Sequence, residues 1–207
     1  MMGLGLNDVH DSFIKSDTNM FSLDTTGVSC SPNNNCFYAP PNCLQSSSGY
    51  CTNSSSMETA ISSVYGIQYY NCHGDGNTCE DYYGNLTLIS GSTLPKLNTS
   101  PIIFVGGCYD ATLTPIPDYT NPLSPPLLAG QALLNGAAIY IGNTKWGYGY
   151  LTPTEQIYIY NQFKSGETIG QSFLSMKQKF LNNPHDPYQE GTAHELQLYG
   201  DPTMSMS

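Results

Sequence analysis

Arginine is absent from this chain of 207 residues, and charged side chains of any kind are scarce, at 11%. Six cationic residues, all lysine, stand against 16 acidic ones, giving a formal net charge of −10. A nucleic-acid partner needs a concentrated cationic face, so this balance argues against one. The acidity serves solubility or gives a cleft that attracts basic peptides. No apolar run reaches the roughly 18 residues that a membrane-spanning helix requires. Near Met1 there is also no positively flanked apolar segment of signal-peptide length. If the protein is exported, its leader has been removed or the sequence is a fragment.

What is present begins with seven cysteines, an odd number. Cys30, Cys36, Cys43, Cys51, Cys72 and Cys79 lie in polar, turn-rich sequence, whereas Cys108 alone ends an apolar run. The economical division is six structural thiols and one reactive thiol. The most local pairing joins Cys30 to Cys36, Cys43 to Cys51 and Cys72 to Cys79, and six cysteines admit many others. Such bridges imply an oxidising compartment, here extracellular or the cell surface. Acceptor patterns for N-glycosylation at Asn53, Asn85 and Asn98 are compatible with export.

Along the chain, residues 1–56 read as a disulfide-braced extension of loop, dense in Ser, Asn, Pro and Cys, and residues 57–207 as the core. Ser55 with Glu58 has capping-box spacing and opens a short helix ending near residue 63. Residues 75–100 are polar, long enough for a crossover or lid, and carry no helix signal. After Ser124, Pro125 and Pro126, the apolar positions Leu127, Leu128, Ala132 and Leu134 predict a helix that Gly136 stops. Residues 137–142 form a buried strand. Thr152 with Glu155 and Thr168 with Gln171 repeat the capping-box device, each leading a helix. The last strand covers residues 194–199, and Gly200, Asp201 and Pro202 turn the chain out of the sheet. Helices alternating with doubly buried strands predict an α/β fold, with a mostly parallel sheet flanked by helices.

Two runs carry chemistry. Residues 66–76 (GIQYYNCHGDG) and 101–111 (PIIFVGGCYDA) are strand-length apolar stretches that end on small residues and one reactive side chain, His73 or Cys108. In a parallel sheet, reactive groups collect at the carboxyl ends of strands, so both would reach one crevice. A thiolate attacks a peptide carbonyl, and an imidazole promotes its ionisation and protonates the departing amine. Bland readings stand beside this one. Cys108 also reads as an inert core thiol, and Cys72, His73 and Cys79 as zinc ligands, although neither His10 nor His185 supplies a second ligand pair. Asp75 and Asn77 carry oxygens that a structural calcium would take, or form an acidic surface turn. His194 beside Glu195 precedes a strand and reads as an edge cap, and Trp146 reads as core.

A hydrophobic block ending in His-Gly, followed by a second ending in Gly-Cys, resembles the caspase-like cysteine peptidases. The later segments GAAIYIGNTKWGYG and ELQLYGDPTM are similar to the gingipain-type branch, so the resemblance covers residues 57–204. It implies a caspase-like layered fold, with Cys108 as nucleophile and His73 acting mainly on the leaving group. It also implies an oxyanion hole of the backbone N–H groups of Gly74 and Cys108. Gly107 leaves room for substrate, Trp146 stands where the family builds its substrate-binding wall, and Asn143 and Thr144 are placed to hold the peptide backbone. Substrates are then peptides or proteins cut after a basic residue, and no cofactor is required. A caspase-like core has strands before the histidine strand, so the first strands are expected to be missing here. The chain would be the C-terminal two-thirds of a catalytic domain, partnered by an upstream segment of the same precursor. The rival class is a non-catalytic surface binding or adhesive module, which the 16 tyrosines among many Asn, Ser and Thr residues equally suit.

Overall fold

The computed structural model of the chain describes residues 2–4, 36–38, 50–51, 62, 66–70, 72–80, 87–113, 127–148, 151–182 and 186–206. The strands in chain order are β1 (Met2–Leu4), β2 (Cys36–Tyr38), β3 (Tyr50–Cys51), β4 (Ile67–Tyr70) and β5 (His73–Gly74). They continue as β6 (Thr78–Glu80), β7 (Thr87–Ser90), β8 (Ile102–Val105), β9 (Ile139–Asn143) and β10 (Leu196–Gly200). The helices are α1 (Leu128–Leu134), α2 (Leu151–Lys164), α3 (Ile169–Leu181) and α4 (Pro187–Glu195). Seven strands form one sheet in the order β10-β9-β8-β4-β1-β2-β3, and β5, β6 and β7 form a second, small one. Every neighbouring pair of the large sheet is parallel except β9 with β10.

Side-chain alternation explains the layering. All four residues of β8 are buried, Ile103 and Val105 on one face and Ile102 and Phe104 on the other. The first face packs against Leu128, Ala129 and Ala132 of α1, with Cys79 and Ile89 of the small sheet and Cys72 just before it. The second packs against Ile159 and Phe163 of α2, Met176 and Phe180 of α3, and Ala193 of α4. The mixed α/β sheet flanked by helices is as expected. Thr168 caps α3 through the predicted box, its hydroxyl accepting from the Gln171 amide at 3.2 Å.

Several expectations are corrected. Residues 1–56 are not loop throughout, and strands do precede the histidine strand: β1, β2 and β3 belong to the large sheet. Three-residue and two-residue strands leave no periodic signal to read. Residues 75–100 contain β6 and β7. Thr152 lies inside α2, where its buried hydroxyl bonds Asn143 at 3.2 Å. Residues 187–195 form α4, capped by Asp186 with Pro187 in the first turn, so β10 starts at Leu196 and His194 is helical. The helix over residues 55–63 lies almost wholly outside the described residues.

Candidate active site

Strands β4 and β8 run side by side in parallel, Tyr70 level with Val105. Gly106 N–H extends this ladder by donating to Tyr70 O at 2.7 Å, so the two chains leave the same edge together. Beyond that point one gives Cys72, His73 and Gly74, and the other Gly107, Cys108 and Tyr109. His73 and Gly74 form β5, opposite Glu80 and Cys79 of β6, and a disulfide joins Cys72 to Cys79 with Cα atoms 5.5 Å apart. The bridge fixes the hairpin that presents the exposed His73. It also removes Cys72 and Cys79 as zinc ligands, and no group of three or more His, Cys, Asp or Glu able to hold a metal occurs among the described residues. A Cβ added to Gly107 would stand 3.2 Å from Gly74 Cα, so the residues adjoining His73 and Cys108 touch.

Cys108 is a free, half-buried cysteine. Its Sγ accepts from the Gly147 N–H at 3.3 Å and lies 3.6 Å from Gly147 O. Burial raises the thiol above its usual range, the Gly147 bond opposes this, and negative charge on Asp110 or Glu195 would raise it further. The raised pKa favours the protonated thiol as the resting form. Tyr109 has φ of 60°, a left-handed conformation that costs a non-glycine residue about 1 kcal/mol. The turn is held by Tyr109 N–H to Lys145 O at 2.6 Å and Ala111 N–H to Asn143 O at 2.9 Å. Its ring packs edge-on against Trp146, with centroids 5.3 Å apart.

Of the residues expected to hold substrate, Trp146 is 56% exposed beside this turn, so its ring is not core. Asn143 is wholly buried: its Nδ2 donates to Gly107 O at 3.1 Å and to Thr152 Oγ1 at 3.2 Å. Its amide thus braces the chain's own backbone one residue before Cys108 rather than facing outward. Thr144 is likewise engaged internally, its N–H and hydroxyl both donating to Glu195 O. Gln156 of α2 completes the brace with Nε2 to Val105 O at 2.8 Å. Asp75 caps a turn, its Oδ1 accepting from the amides of Asn77 and Thr78 at 2.8 and 2.9 Å. His194 is exposed and 3.9 Å from Glu190. Glu195 instead faces Lys145 and the Trp146 N–H, both of which lower its pKa against the dominant effect of burial. Cys30 and Cys43, and the side chains of Cys36 and Cys51, lie outside the described residues.

Sequence reasoning missed Gly147, Gln156 and Asp110. Gly147 and Gln156 act through backbone approach and burial, which no spacing announces. Asp110 carries a sequence signal, as an acid two residues past the candidate nucleophile Cys108.

The sequence matches the model of peptidase family C25 over residues 13–207. No curated protein matches it. Among solved structures, the fold is similar to gingipain R (RGPB), described as an Arg-specific cysteine proteinase, with a TM-score of 0.62 and 13% identity over 99% of this chain and 47% of that one. It is similar also to the complex of the pro- and mature domains of Porphyromonas gingivalis RgpB (TM-score 0.59, 13% identity, 98% and 47% covered). The Saccharomyces cerevisiae separase–securin complex is a further likeness, with a TM-score of 0.58 and 14% identity over 96% of this chain and 11% of that one. The chain thus spans just under half the length of the gingipain chains it resembles. At these identities the structures establish a caspase-like fold, while the sequence match, which covers nearly the whole chain, shows that it belongs to peptidase family C25.

Proposed function

We propose that the chain carries the catalytic groups of an exported cysteine endopeptidase, with Cys108 as nucleophile and His73 as general acid and base. The observation that carries this reading is the contact of Gly74 with Gly107, which sets the histidine hairpin against the cysteine turn at one sheet edge. Cys108 Sγ bonds to the scissile carbonyl carbon as the thiol proton passes to His73, and the carbonyl oxygen becomes an oxyanion. The amides of Gly74 and Cys108 are the proposed donors to it, stabilising charge that exists only in the transition state. The imidazolium then protonates the amine as the C–N bond breaks. Water next adds to the thioester, giving one proton to His73, and collapse returns that proton to sulfur as the C–S bond breaks. These steps draw on no cofactor.

A basic residue before the scissile bond is the proposed preference. It is supported by the net negative charge, by the acid Glu195 beside Trp146, and by the Arg specificity stated for gingipain R. Export is supported by the Cys72–Cys79 disulfide in a chain with no membrane-spanning helix among its described residues. An upstream segment of the same precursor is the proposed partner, by analogy with the RgpB pro- and mature-domain complex. The test is native alkylation followed by peptide kinetics. One rapidly modified thiol mapping to Cys108, and loss of cleavage in Cys108→Ala with the fold retained, are expected. Cleavage retained in that variant rejects the assignment, and an unreactive Cys108 with no turnover favours a binding module. A panel of peptides differing only before the scissile bond tests the preference, and faster cleavage after Asp or an aliphatic residue overturns it.

A further inference from the structure

We propose that Asp110 is a positioning residue for this site, a buried wedge whose carboxyl sets the spacing between the histidine hairpin and the cysteine turn. The inference rests on the cysteine-peptidase reading above. Asp110 is wholly buried. A Cβ built on Gly74 would lie 2.2 Å from Asp110 Oδ1, and one built on Gly107 would lie 1.9 Å from Oδ2. The one carboxyl therefore fills the volume that both glycines lack, and it touches the residue after His73 and the residue before Cys108 together. Gly74 carries one of the two amides proposed to bind the oxyanion and Gly107 precedes the other, on Cys108, so the wedge determines how far apart the donors stand. A displacement on the order of 1 Å there is enough to cost about a hundredfold in rate.

The chemistry of the wedge is that of a neutral acid. Burial holds its pKa well above the carboxylate range, Asp75 and Glu80 push the same way, and the Gly76 amide opposes them. Oδ2 lies 3.7 Å from Cys72 Sγ, and a disulfide sulfur has no hydrogen, so the carboxylic acid is the donor in that pair. The remaining groups facing it are the Tyr140 hydroxyl, which donates to Asp110 O at 3.0 Å, and Cys108. A neutral Asp110 matters to Cys108, because a charge there would oppose thiolate formation. The residue thus combines a fixed size with an uncharged, hydrogen-bonding surface, and each property can be altered separately.

The experiment compares Asp110→Asn, Asp110→Ala and Asp110→Glu for peptide kcat and KM, and for the rate at which iodoacetamide alkylates Cys108. Alkylation uses the thiol but no oxyanion hole. Asn keeps size and neutrality, and its kcat is expected within about threefold of the wild type. Ala removes the wedge and Glu adds one methylene between two closely held loops. Both are expected to lower kcat at least about tenfold, with KM and alkylation each within about threefold. If the Ala variant does not fold, the contrast between Asn and Glu decides. Wild-type kcat in Ala or Glu, loss of kcat in Asn, or a parallel fall of alkylation and turnover each overturns the proposal. If the wild type turns over no peptide, the peptidase reading itself falls and takes this inference with it.

Discussion

Replacing Asn143 by Asp exchanges one nitrogen for oxygen at a wholly buried position, and the structure sets what that costs. The amide donates to Gly107 O at 3.1 Å and to Thr152 Oγ1 at 3.2 Å. In the Asp variant a second acceptor faces the Gly107 carbonyl, so either the acid stays protonated or the carbonyl turns away. A buried acceptor left without its donor costs about 1–3 kcal/mol, and lone pairs opposed in a medium of low polarity add to this. We therefore expect Asn143→Asp to lower stability by roughly 2–4 kcal/mol and Asn143→Ala by somewhat less. Because Gly107 O belongs to the peptide whose N–H is that of Cys108, turning it misdirects a proposed oxyanion donor. Loss of such a donor lowers kcat about 10²-fold or more, while KM should change less than about threefold because Asn143 is wholly buried. Denaturant midpoints and steady-state kinetics on one peptide measure both quantities. An Asp variant with wild-type stability and kcat would refute the reasoning. A raised KM with kcat intact would restore the substrate-holding role expected from the sequence.

The readable parts of this chain were those whose physics is local. His73 and Cys108 stood out because a buried parallel strand shows as an unbroken apolar run, and an abrupt stop on a reactive residue marks its carboxyl end. The Thr168–Gln171 cap was legible because it needs only its own four residues. Asp186 followed by Pro187 is an equally local start signal for α4. Strands β1, β2 and β3 were not legible, because a strand of two or three residues exists through its neighbours' hydrogen bonds rather than through its own pattern. Asn143 stands at the expected strand end, with its amide bonded to the chain's own backbone. Whether a side chain at a strand end faces a ligand or the protein's own backbone depends on the loop beside it, here the Gly106-Gly107 turn.

Removing the Cys72–Cys79 bridge as a double serine variant should lower kcat more than it lowers alkylation of Cys108, since the bridge holds the His73 hairpin and not the thiol; equal kinetics in the variant would count against that role. Trp146→Ala should raise KM for peptides with little loss of stability, because the ring is 56% exposed; a fall in melting temperature with KM unchanged would return Trp146 to the core. The last expectation concerns pH and a group far from the thiol. Glu155 of α2 is wholly buried, neither carboxylate oxygen has a hydrogen-bond partner, and burial raises its pKa to about 8 against the opposing charge of Lys177. Lys177 is itself lowered to about 8 by burial, and its Nζ donates to Ala193 O, to His194 O at 3.2 Å and to Leu196 O at 2.7 Å, closing the end of α4. A carboxyl whose folded pKa is raised favours the folded state fully below its unfolded value, near 4.5, and loses that contribution as pH climbs to about 8. In this window the folded state holds a proton that the unfolded chain has released, so stability falls with pH by at most about 1.4 kcal/mol per unit. Lys177 acts with the opposite sign, but only between about 8 and its unfolded value of 10.5, so it does not cancel the slope at lower pH. Glu155→Gln keeps the shape of the neutral acid and removes the titration. Chemical denaturation at pH 5, 6.5 and 8 should therefore show the Gln variant gaining on the wild type at each step, whereas parallel pH dependence in the two proteins would mean that Glu155 is already ionised and paired with Lys177 in the folded state.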